Sequence, residues 1–207
     1  MASSSNVPGR EIFWTRGMHW KQKPENRLIS YIMTVDYDYL PNYDISLAAG
    51  RNFREDFKAD KYRAIINQEA LRRLGFSSSE EAIGEYLVQG DREFKIVGVL
   101  DTYHQMGLDK EFYPLIVEIF PNEGSYYSIK LNSDDPRETI SRLEEEYRST
   151  FPQDPFNFFF LDEQYNRQYL SYDQFAKVFG LFSVLAIIIA CLGLYGLSSY
   201  ATLQRTK

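Results

Sequence analysis

The chain has 207 residues, a net charge of −6 and an aromatic content of 16%. This length allows one or two domains, and the 16 Tyr and 15 Phe residues supply enough apolar surface for a sizeable core. Only three charged residues lie from position 177 onward, so residues 1–176 carry 20 basic and 29 acidic side chains, a net charge of −9. A body this acidic is repelled by phosphate backbones and by anionic membrane surfaces, so nucleic-acid binding is not expected.

The first half of the chain predicts short strands and one helix. Residues 1–27 are polar and interrupted by Pro and Gly, and Trp14 and Trp20 are expected to cover a hydrophobic edge. Residues 30–40 and the segment ISLAAGRNF predict strands, because β-branched and aromatic residues are frequent in both. Residues 64–75 predict a strand that enters a helix, with Asn67 as the N-cap and Gly75 as the glycine after the last turn.

Further strands and a second helix are predicted downstream. Residues 85–88 and 93–100 predict a hairpin, residues 113–120 and 126–131 two more strands, and residues 156–161 a last strand. Asp135 is expected to cap a helix that has Pro136 in its first turn. The buried stripe of that helix is predicted to contain Ile140, Leu143 and Tyr147. This mixture of elements, with few strand–helix–strand crossovers, indicates an α+β fold in which residues 51–121 form an inserted lobe.

Residues 178–197 contain about 20 residues without a charge, which is long enough to cross a bilayer as a helix. A buried helix of a soluble core is the alternative, but such helices are seldom apolar on every face. Arg205 and Lys207 favour a cytoplasmic C-terminal side and an acidic body outside, with Lys177 as an opposing charge. The N-terminal residues lack the pattern of a signal peptide, which leaves a reversed, tail-anchored protein or a fragment without its upstream helix. We expect the fragment.

The sequence shows no pattern typical of catalysis, of cofactor binding or of a metal site, so we do not expect an enzyme. His19 and His104 lie far apart, and His104, close to Asp101, is better explained as a surface residue.

Two weaker features predict contacts with partners. The small residues Ala186, Ala190 and Gly193 lie on one stripe of the apolar helix, where a partner helix could approach closely. Tyr126 and Tyr127 are candidates for contact with a partner protein.

Several separated blocks of the sequence resemble the MacB-like periplasmic core domain. These blocks are VDYDYLPNYDISLAAGRNF (35–53), AIINQEALRRLGF (64–76) with EEAIGEYL (80–87), and KIVGVLDTYHQMGL (95–108). Residues 160–207 resemble the junction into the FtsX-like permease domain. Both belong to permease subunits of type VII ABC transporters, and the resemblance is to the Bacteroidota members with two periplasmic domains.

The resemblance implies a two-lobed domain outside the cytoplasmic membrane, between two transmembrane helices. Residues 1–50 and 122–170 would form the membrane-proximal α+β lobe, and residues 51–121 the distal inserted lobe. Residues 171–204 would form a helix that continues into a transmembrane helix at about 178–199. The implied location is the bacterial inner membrane, with the main domain in the periplasm. The implied partners are a cytoplasmic ABC ATPase subunit, a second permease subunit or dimer mate, and a periplasmic adaptor protein.

Two functions compete under this resemblance. One is the transmission of ATPase-driven motion to the periplasm for efflux or export of peptides, antibiotics or lipoproteins. The other is a sensory or regulatory module that controls cell-wall hydrolases or a stress response. A tail-anchored binding protein of another family is a third alternative.

Overall fold

The computed structural model of the chain describes residues 1–55, 62–101, 103, 105, 112–120, 124–132 and 135–205. The side chains of residues 165–174, 176 and 197–205 lie outside this description. The chain divides into two units, Met1–Asn157 and Phe158–Lys207.

The first unit is built on one mixed sheet, to which the described residues contribute nine strands. The strands are β1 (Ala2–Ser4), β2 (Thr15–Trp20), β3 (Lys23–Val35), β4 (Leu47–Gly50), β5 (Arg63–Ile66), β6 (Tyr86–Gln89), β7 (Arg92–Leu100), β8 (Leu115–Ile119) and β9 (Tyr126–Ser128). The helices of this unit are α1 (Tyr39–Asn42), α2 (Gln68–Leu74), α3 (Ser79–Ala82) and α4 (Pro136–Thr150). The second unit contains α5 (Leu161–Arg205).

Six of these strands form a closed ring. Strand β2 pairs with β6, β6 with β7, β7 with β5, β5 with β8 and β8 with β3, and β3 pairs back to β2. The β5–β7 and β3–β8 pairs are parallel and the other four are antiparallel. The other three strands extend the sheet beyond the ring: β1 pairs with β3, β9 pairs with β1, and β4 pairs with β7. The ring is therefore a small barrel, and closure removes most of the exposed strand edges.

The barrel interior is apolar. One cluster of buried side chains includes residues from all six strands, as expected when alternate side chains of each strand point inward. Members from the strands are Met18, Trp20, Leu28, Ile32, Ala64, Ile66, Leu87, Phe94, Ile96, Val99 and Ile116. Three residues of α2 join the same cluster, so α2 closes one end of the barrel. There the Trp20 ring packs on Phe76 with the ring centroids 4.3 Å apart.

A second core covers part of the barrel's outer face. It joins Val35, Ile65 and Val117 of the strands to Tyr39 and Leu40 of α1. Parts of the barrel wall are thus buried on both faces, which explains why all five residues of β8 (LIVEI) are buried and all but Glu118 are apolar.

The predictions based on local sequence signals are confirmed. The Asn67 Oδ1 atom accepts a hydrogen bond from the Ala70 amide at 2.9 Å, and Gly75 ends α2 with a φ of 85°. Strands β6 and β7 form the predicted hairpin. The Asp135 Oδ1 atom accepts hydrogen bonds from the amides of Arg137 (3.0 Å) and Glu138 (3.2 Å) at the start of α4.

Four other expectations are wrong. Residues 15–20, expected to be irregular, form β2, because pairing with β3 and β6 stabilises a segment without a strong strand pattern. Residues 156–160 form no strand, and α5 begins at Leu161. No residue of α4 is buried, so its predicted stripe stays partly exposed. Trp20 is buried as expected, whereas Trp14 is 76% exposed.

The predicted lobe boundaries do not coincide with a break in the sheet. Strands β2 and β3, from residues 1–50, are neighbours in the ring, and four strands from residues 51–121, β5, β6, β7 and β8, complete it. The division into lobes at these bounds stays a prediction, and the shared ring does not favour it.

Candidate functional site

Helix α5 contains the segment that can cross a membrane. It runs for 45 residues without interruption, which corresponds to a length of about 68 Å. Within it, Lys177–Gly196 has 20 residues and the apolar composition of a membrane span, and none of this window is buried. The segment overlaps the predicted span at about 178–199. An exposed helix of this composition suits a lipid environment and not water.

The predicted packing stripe lies on this span. Ala186, Ala190 and Gly193 follow one another at intervals of four and three residues, which places them on one face of α5. All three are exposed, and a Cβ atom added at Gly193 would meet no atom within 4 Å. The stripe is sterically open to a partner helix, and its packing against one stays a prediction.

The two tyrosines proposed for partner contact differ in their surroundings. Strand β9 pairs with β1, with Tyr126 opposite Ser4 and Tyr127 opposite Ser3. The Tyr126 hydroxyl accepts a hydrogen bond from Arg10 Nη1 at 2.7 Å, and this side chain is half-buried. Tyr127 is 65% exposed. Tyr126 therefore connects β9 to the N-terminal segment, and Tyr127 is the more accessible of the two.

The described residues contain no group of three or more His, Cys, Asp or Glu side chains that could hold a metal ion. His19 lies on β2, whereas His104 is outside the described residues. Asp36 directly follows β3; its Oδ2 atom accepts a hydrogen bond from the Ser3 amide at 2.6 Å, and its Oδ1 atom accepts one from the Asp38 amide at 3.1 Å. Burial raises the pKa of Asp36, and these amide hydrogen bonds oppose the rise. The role of Asp36 is thus to hold the turn into α1.

An ion pair with a buried carboxylate joins β2 and β8. Arg16 Nη1 lies 3.1 Å from Glu118 Oε2 and 3.3 Å from Glu118 Oε1. Glu118 is 3% exposed, whereas the Arg16 side chain is 40% exposed. Burial raises the pKa of Glu118, and the charge and hydrogen bond of Arg16 oppose the rise.

The ion pair lies at the end of the barrel away from α2. Glu118 lies two residues after Ile116 on β8, and Arg16 lies two residues before Met18 on β2. Residues two apart on a strand share a face, so both charged side chains lie on the interior face, like Ile116 and Met18. Ser30, opposite Arg16 across the β2–β3 ladder, is fully buried, and its hydroxyl has no hydrogen-bond partner. Sequence reasoning missed the pair because its partners are 102 residues apart.

A mixed α/β domain followed by an apolar helix defines the class of this protein, a globular domain joined to a helix that is long and apolar enough to span a membrane. The chain belongs to the family of the MacB-like periplasmic core domain, whose sequence pattern matches residues 10–145. No curated protein matches the chain.

Solved structures share the fold. The periplasmic region of MacB from Actinobacillus actinomycetemcomitans is 13% identical with a TM-score of 0.50, and the match covers 72% of this chain and 65% of that one. The extracellular domain of the noncanonic ABC-type transporter YknZ from Gram-positive bacteria is 16% identical with a TM-score of 0.54, covering 74% of this chain and 77% of that one. The chain thus spans less than two thirds of the MacB region and about three quarters of the YknZ domain.

Proposed function

We propose that this chain is the extracytoplasmic domain and the adjoining transmembrane helix of an ABC transporter permease subunit. In this role it passes motion driven by ATP hydrolysis on a separate subunit to the periplasm, for efflux or export of peptides, antibiotics or lipoproteins. Membership of the MacB-like family and the apolar span Lys177–Gly196 support this role. The solved domains of similar fold come from MacB and from an ABC-type transporter.

The unbroken course of α5 is the observation on which the mechanism depends. The helix contains no proline between Leu161 and Arg205, so its backbone hydrogen-bond ladder has no built-in break. A continuous helix transmits a tilt or a shift of one end to the other with little loss. Residues 161–176 precede the span, so movement of the membrane segment would reach the start of α5 directly.

The partners follow from this role. A cytoplasmic ABC ATPase subunit supplies the motion, a second permease subunit or dimer mate packs against the stripe of Ala186, Ala190 and Gly193, and a periplasmic adaptor receives the export substrate. The location that suits these partners is the bacterial inner membrane, with the Met1–Asn157 unit in the periplasm.

The role of α5 as a rigid lever, which carries motion from the membrane segment to the start of the helix, is tested by inserting two glycines after Tyr172. Two alanines inserted at the same position are the matched control. Both insertions lengthen and rotate the helix equally, but glycine destabilises a helix by about 1 kcal/mol per residue relative to alanine. In proteoliposomes with the native ATPase subunit, we expect both variants to hydrolyse ATP. The glycine variant should lose far more of its substrate export than the alanine variant. Equal substrate export by the two variants would refute a lever that depends on the stiffness of α5.

The permease assignment itself is tested by sequencing the native locus on both sides of this reading frame. We expect an upstream apolar helix, further helices after Lys207 and a neighbouring ATPase gene. A neighbouring sensor kinase or cell-wall hydrolase gene would instead favour the regulatory alternative. A start at Met1 and a stop after Lys207, without an ATPase gene nearby, would refute the permease assignment.

A further inference from the structure

One end of the barrel interior is lined by polar side chains. They lie at the end away from α2, and each is two residues along its strand from a member of the apolar cluster, so it shares that member's inward face. We call this set the polar mouth; its residues are Arg16 on β2, Ser30 on β3, Gln89 on β6, Arg92 on β7 and Glu118 on β8. The polar mouth therefore draws on five of the six strands of the ring.

Contacts and strand register bring the residues of the polar mouth together. Arg16 Nη1 lies 3.1 Å from Glu118 Oε2, and Ser30 lies directly opposite Arg16 in the β2–β3 ladder. Gln89 lies opposite Arg92 in the β6–β7 hairpin. Burial raises the pKa of Glu118, and the charges of Arg16 and Arg92 both oppose the rise. Both arginines thus act on the same buried carboxylate, and the five residues form one site.

Two buried polar atoms of the mouth have no hydrogen-bond partner in the part of the chain that the structure describes. They are the Oγ atom of Ser30, whose side chain is fully buried, and the Oε1 atom of Gln89, which is shielded from solvent. The serine hydroxyl can donate or accept a hydrogen bond, whereas the amide oxygen only accepts one. Buried polar groups in native proteins are nearly always paired, so a bound group at this mouth would satisfy both atoms.

The two arginines of the mouth have unused donors. Arg16 makes both of its contacts with Glu118 through Nη1, which leaves its Nε and Nη2 donors, and its side chain is 40% exposed. Arg92 is exposed and makes no hydrogen bond or ion pair with any described residue. Guanidinium groups bind carboxylates through paired, charge-assisted hydrogen bonds. Free donors of two arginines at one mouth therefore favour a carboxylate ligand.

The acidic residues next to Arg92 do not fill these donors. Glu93 follows Arg92 on β7, so it points to the outer face, where it pairs with Lys21 at 2.7 Å. Asp91 is exposed in the turn before β7, and within the described ranges it forms no ion pair with Arg92. Recognition at the mouth thus depends on directed hydrogen-bond donors and not on an excess of positive charge.

The shape of the site limits what can bind. Below the mouth the barrel is filled by side chains such as Met18, Phe94 and Ile116, so only a terminal group of a ligand can be held there. Acetate would satisfy the arginines but leave Gln89 Oε1 without a donor. A free amino acid would place its ammonium group beside two guanidinium groups, which repel it. The last residue of a peptide has a carboxylate and a neutral amide N–H only a few atoms apart, which suits both.

We propose that the polar mouth binds the C-terminal carboxylate of a peptide segment. The carboxylate would accept hydrogen bonds from Arg92, from the free donors of Arg16 and from the Ser30 hydroxyl. The amide N–H of the last peptide residue would donate to Gln89 Oε1. The proposal concerns binding by the barrel itself and goes beyond the proposed transport role, on which it does not rest.

The proposal is tested with the full chain in neutral nanodiscs and the peptide GSGSAA, labelled at its N-terminus with a neutral fluorophore. The same peptide with a C-terminal amide in place of the carboxylate is the matched ligand control. Fluorescence anisotropy should show binding of the free acid at a Kd below about 1 mM, and a Kd at least about 10-fold higher for the amide. Acetate and inorganic phosphate, added as competitors, should displace the peptide only at concentrations well above its Kd.

Variants assign the binding to the mouth. Arg92→Gln should raise the Kd of the free acid by about 10-fold or more, because an exposed guanidinium that binds the carboxylate is lost. The double variant Ser30→Ala/Gln89→Met should raise the Kd by about 3-fold or more without lowering stability, since neither removed atom has a partner within the described chain. Arg27→Gln, the same change at an exposed arginine on the outer face of β3, is the matched control and should leave the Kd unchanged.

Four results would overturn the proposal. They are no binding of the free acid at about 1 mM, equal binding of the acid and the amide, a Kd unaffected by Arg92→Gln or by the double variant, and displacement by acetate or phosphate at or below the Kd of the peptide. The last result would assign the mouth to small anions. The glycine insertion in α5 does not touch the mouth, so each proposal can fail without the other.

Discussion

Replacing Arg16 by methionine would remove one partner of the ion pair at the barrel end. The change leaves the Glu118 carboxylate 3% exposed and without the two hydrogen bonds, of 3.1 and 3.3 Å, that Arg16 Nη1 donates to it. Methionine keeps much of the side-chain length and its apolar contacts. The perturbation is therefore mainly electrostatic.

The size of the effect follows from burial. Removing one partner of a fully buried ion pair costs about 3–5 kcal/mol, because the other charge stays buried and uncompensated. Here the Arg16 side chain is 40% exposed, so water reaches one side of the pair and the attraction is partly screened. We expect the free energy of unfolding to fall by about 2–3 kcal/mol at pH 7.

The pH dependence distinguishes this cause from lost packing. Burial raises the pKa of Glu118 above its value of about 4.3 in the unfolded chain. A group with a raised pKa adds stability that is complete below the unfolded pKa and is lost as the pH rises through the folded pKa. Without Arg16 the pKa rises further, so the stability difference between Arg16→Met and the natural chain should be largest near neutral pH and should shrink towards about pH 4.3.

The assay is urea unfolding of the full chain in detergent, followed by the fluorescence of Trp20, which is buried in the barrel. Glu118→Gln removes the buried charge, so the double variant Arg16→Met/Glu118→Gln should recover most of the lost stability. Glu93→Gln in the exposed pair with Lys21 is the control and should change the free energy of unfolding by less than about 0.5 kcal/mol. A stability loss in Arg16→Met that is the same at all pH values, or that the double variant does not relieve, would refute the reasoning.

Three further substitutions test individual structural contacts by the same unfolding assay. Asn67→Ala removes the cap of α2, the hydrogen bond that Asn67 Nδ2 donates to the Tyr113 carbonyl and the one that Asn67 Oδ1 accepts from the Leu115 amide, so we expect a loss of about 2–4 kcal/mol. Gly50→Ala places a Cβ atom 2.2 Å from the Val97 carbonyl oxygen at a φ of 82°, and should cost at least about 2 kcal/mol. Asp135→Ala removes the cap of the exposed helix α4, which should lower helical circular dichroism and stability by about 1 kcal/mol; an unchanged spectrum would contradict the role of the cap.

Signals contained within one turn of the chain were predictable from the sequence. The caps at Asn67 and Asp135 and the glycine at Gly75 satisfy backbone groups only a few residues away, so no knowledge of the fold is needed to find them. The β6–β7 hairpin follows from its own turn for the same reason. The family resemblance also came from contiguous blocks, and the match over residues 10–145 confirms it.

Elements stabilised from a distance were predicted poorly. Strand β2 has the sequence TRGMHW, in which glycine and charged residues conceal the alternation, and its pairing with two other strands decides its structure. Helix α4 shows the opposite error, because a clear apolar spacing predicted burial that the described contacts do not supply. Periodicity indicates which face of a helix can be buried, but not what lies over that face.

The sequence by itself determined the candidate membrane span, the capped helices and the family, because each depends on residues that are neighbours along the chain. The tertiary structure alone decided that β2 and β3 close a barrel with strands from residues 63–119, and that Arg16 meets Glu118 inside its end. These features depend on the register of strands far apart in the chain, and a shift of one residue would turn each of these side chains to the opposite face.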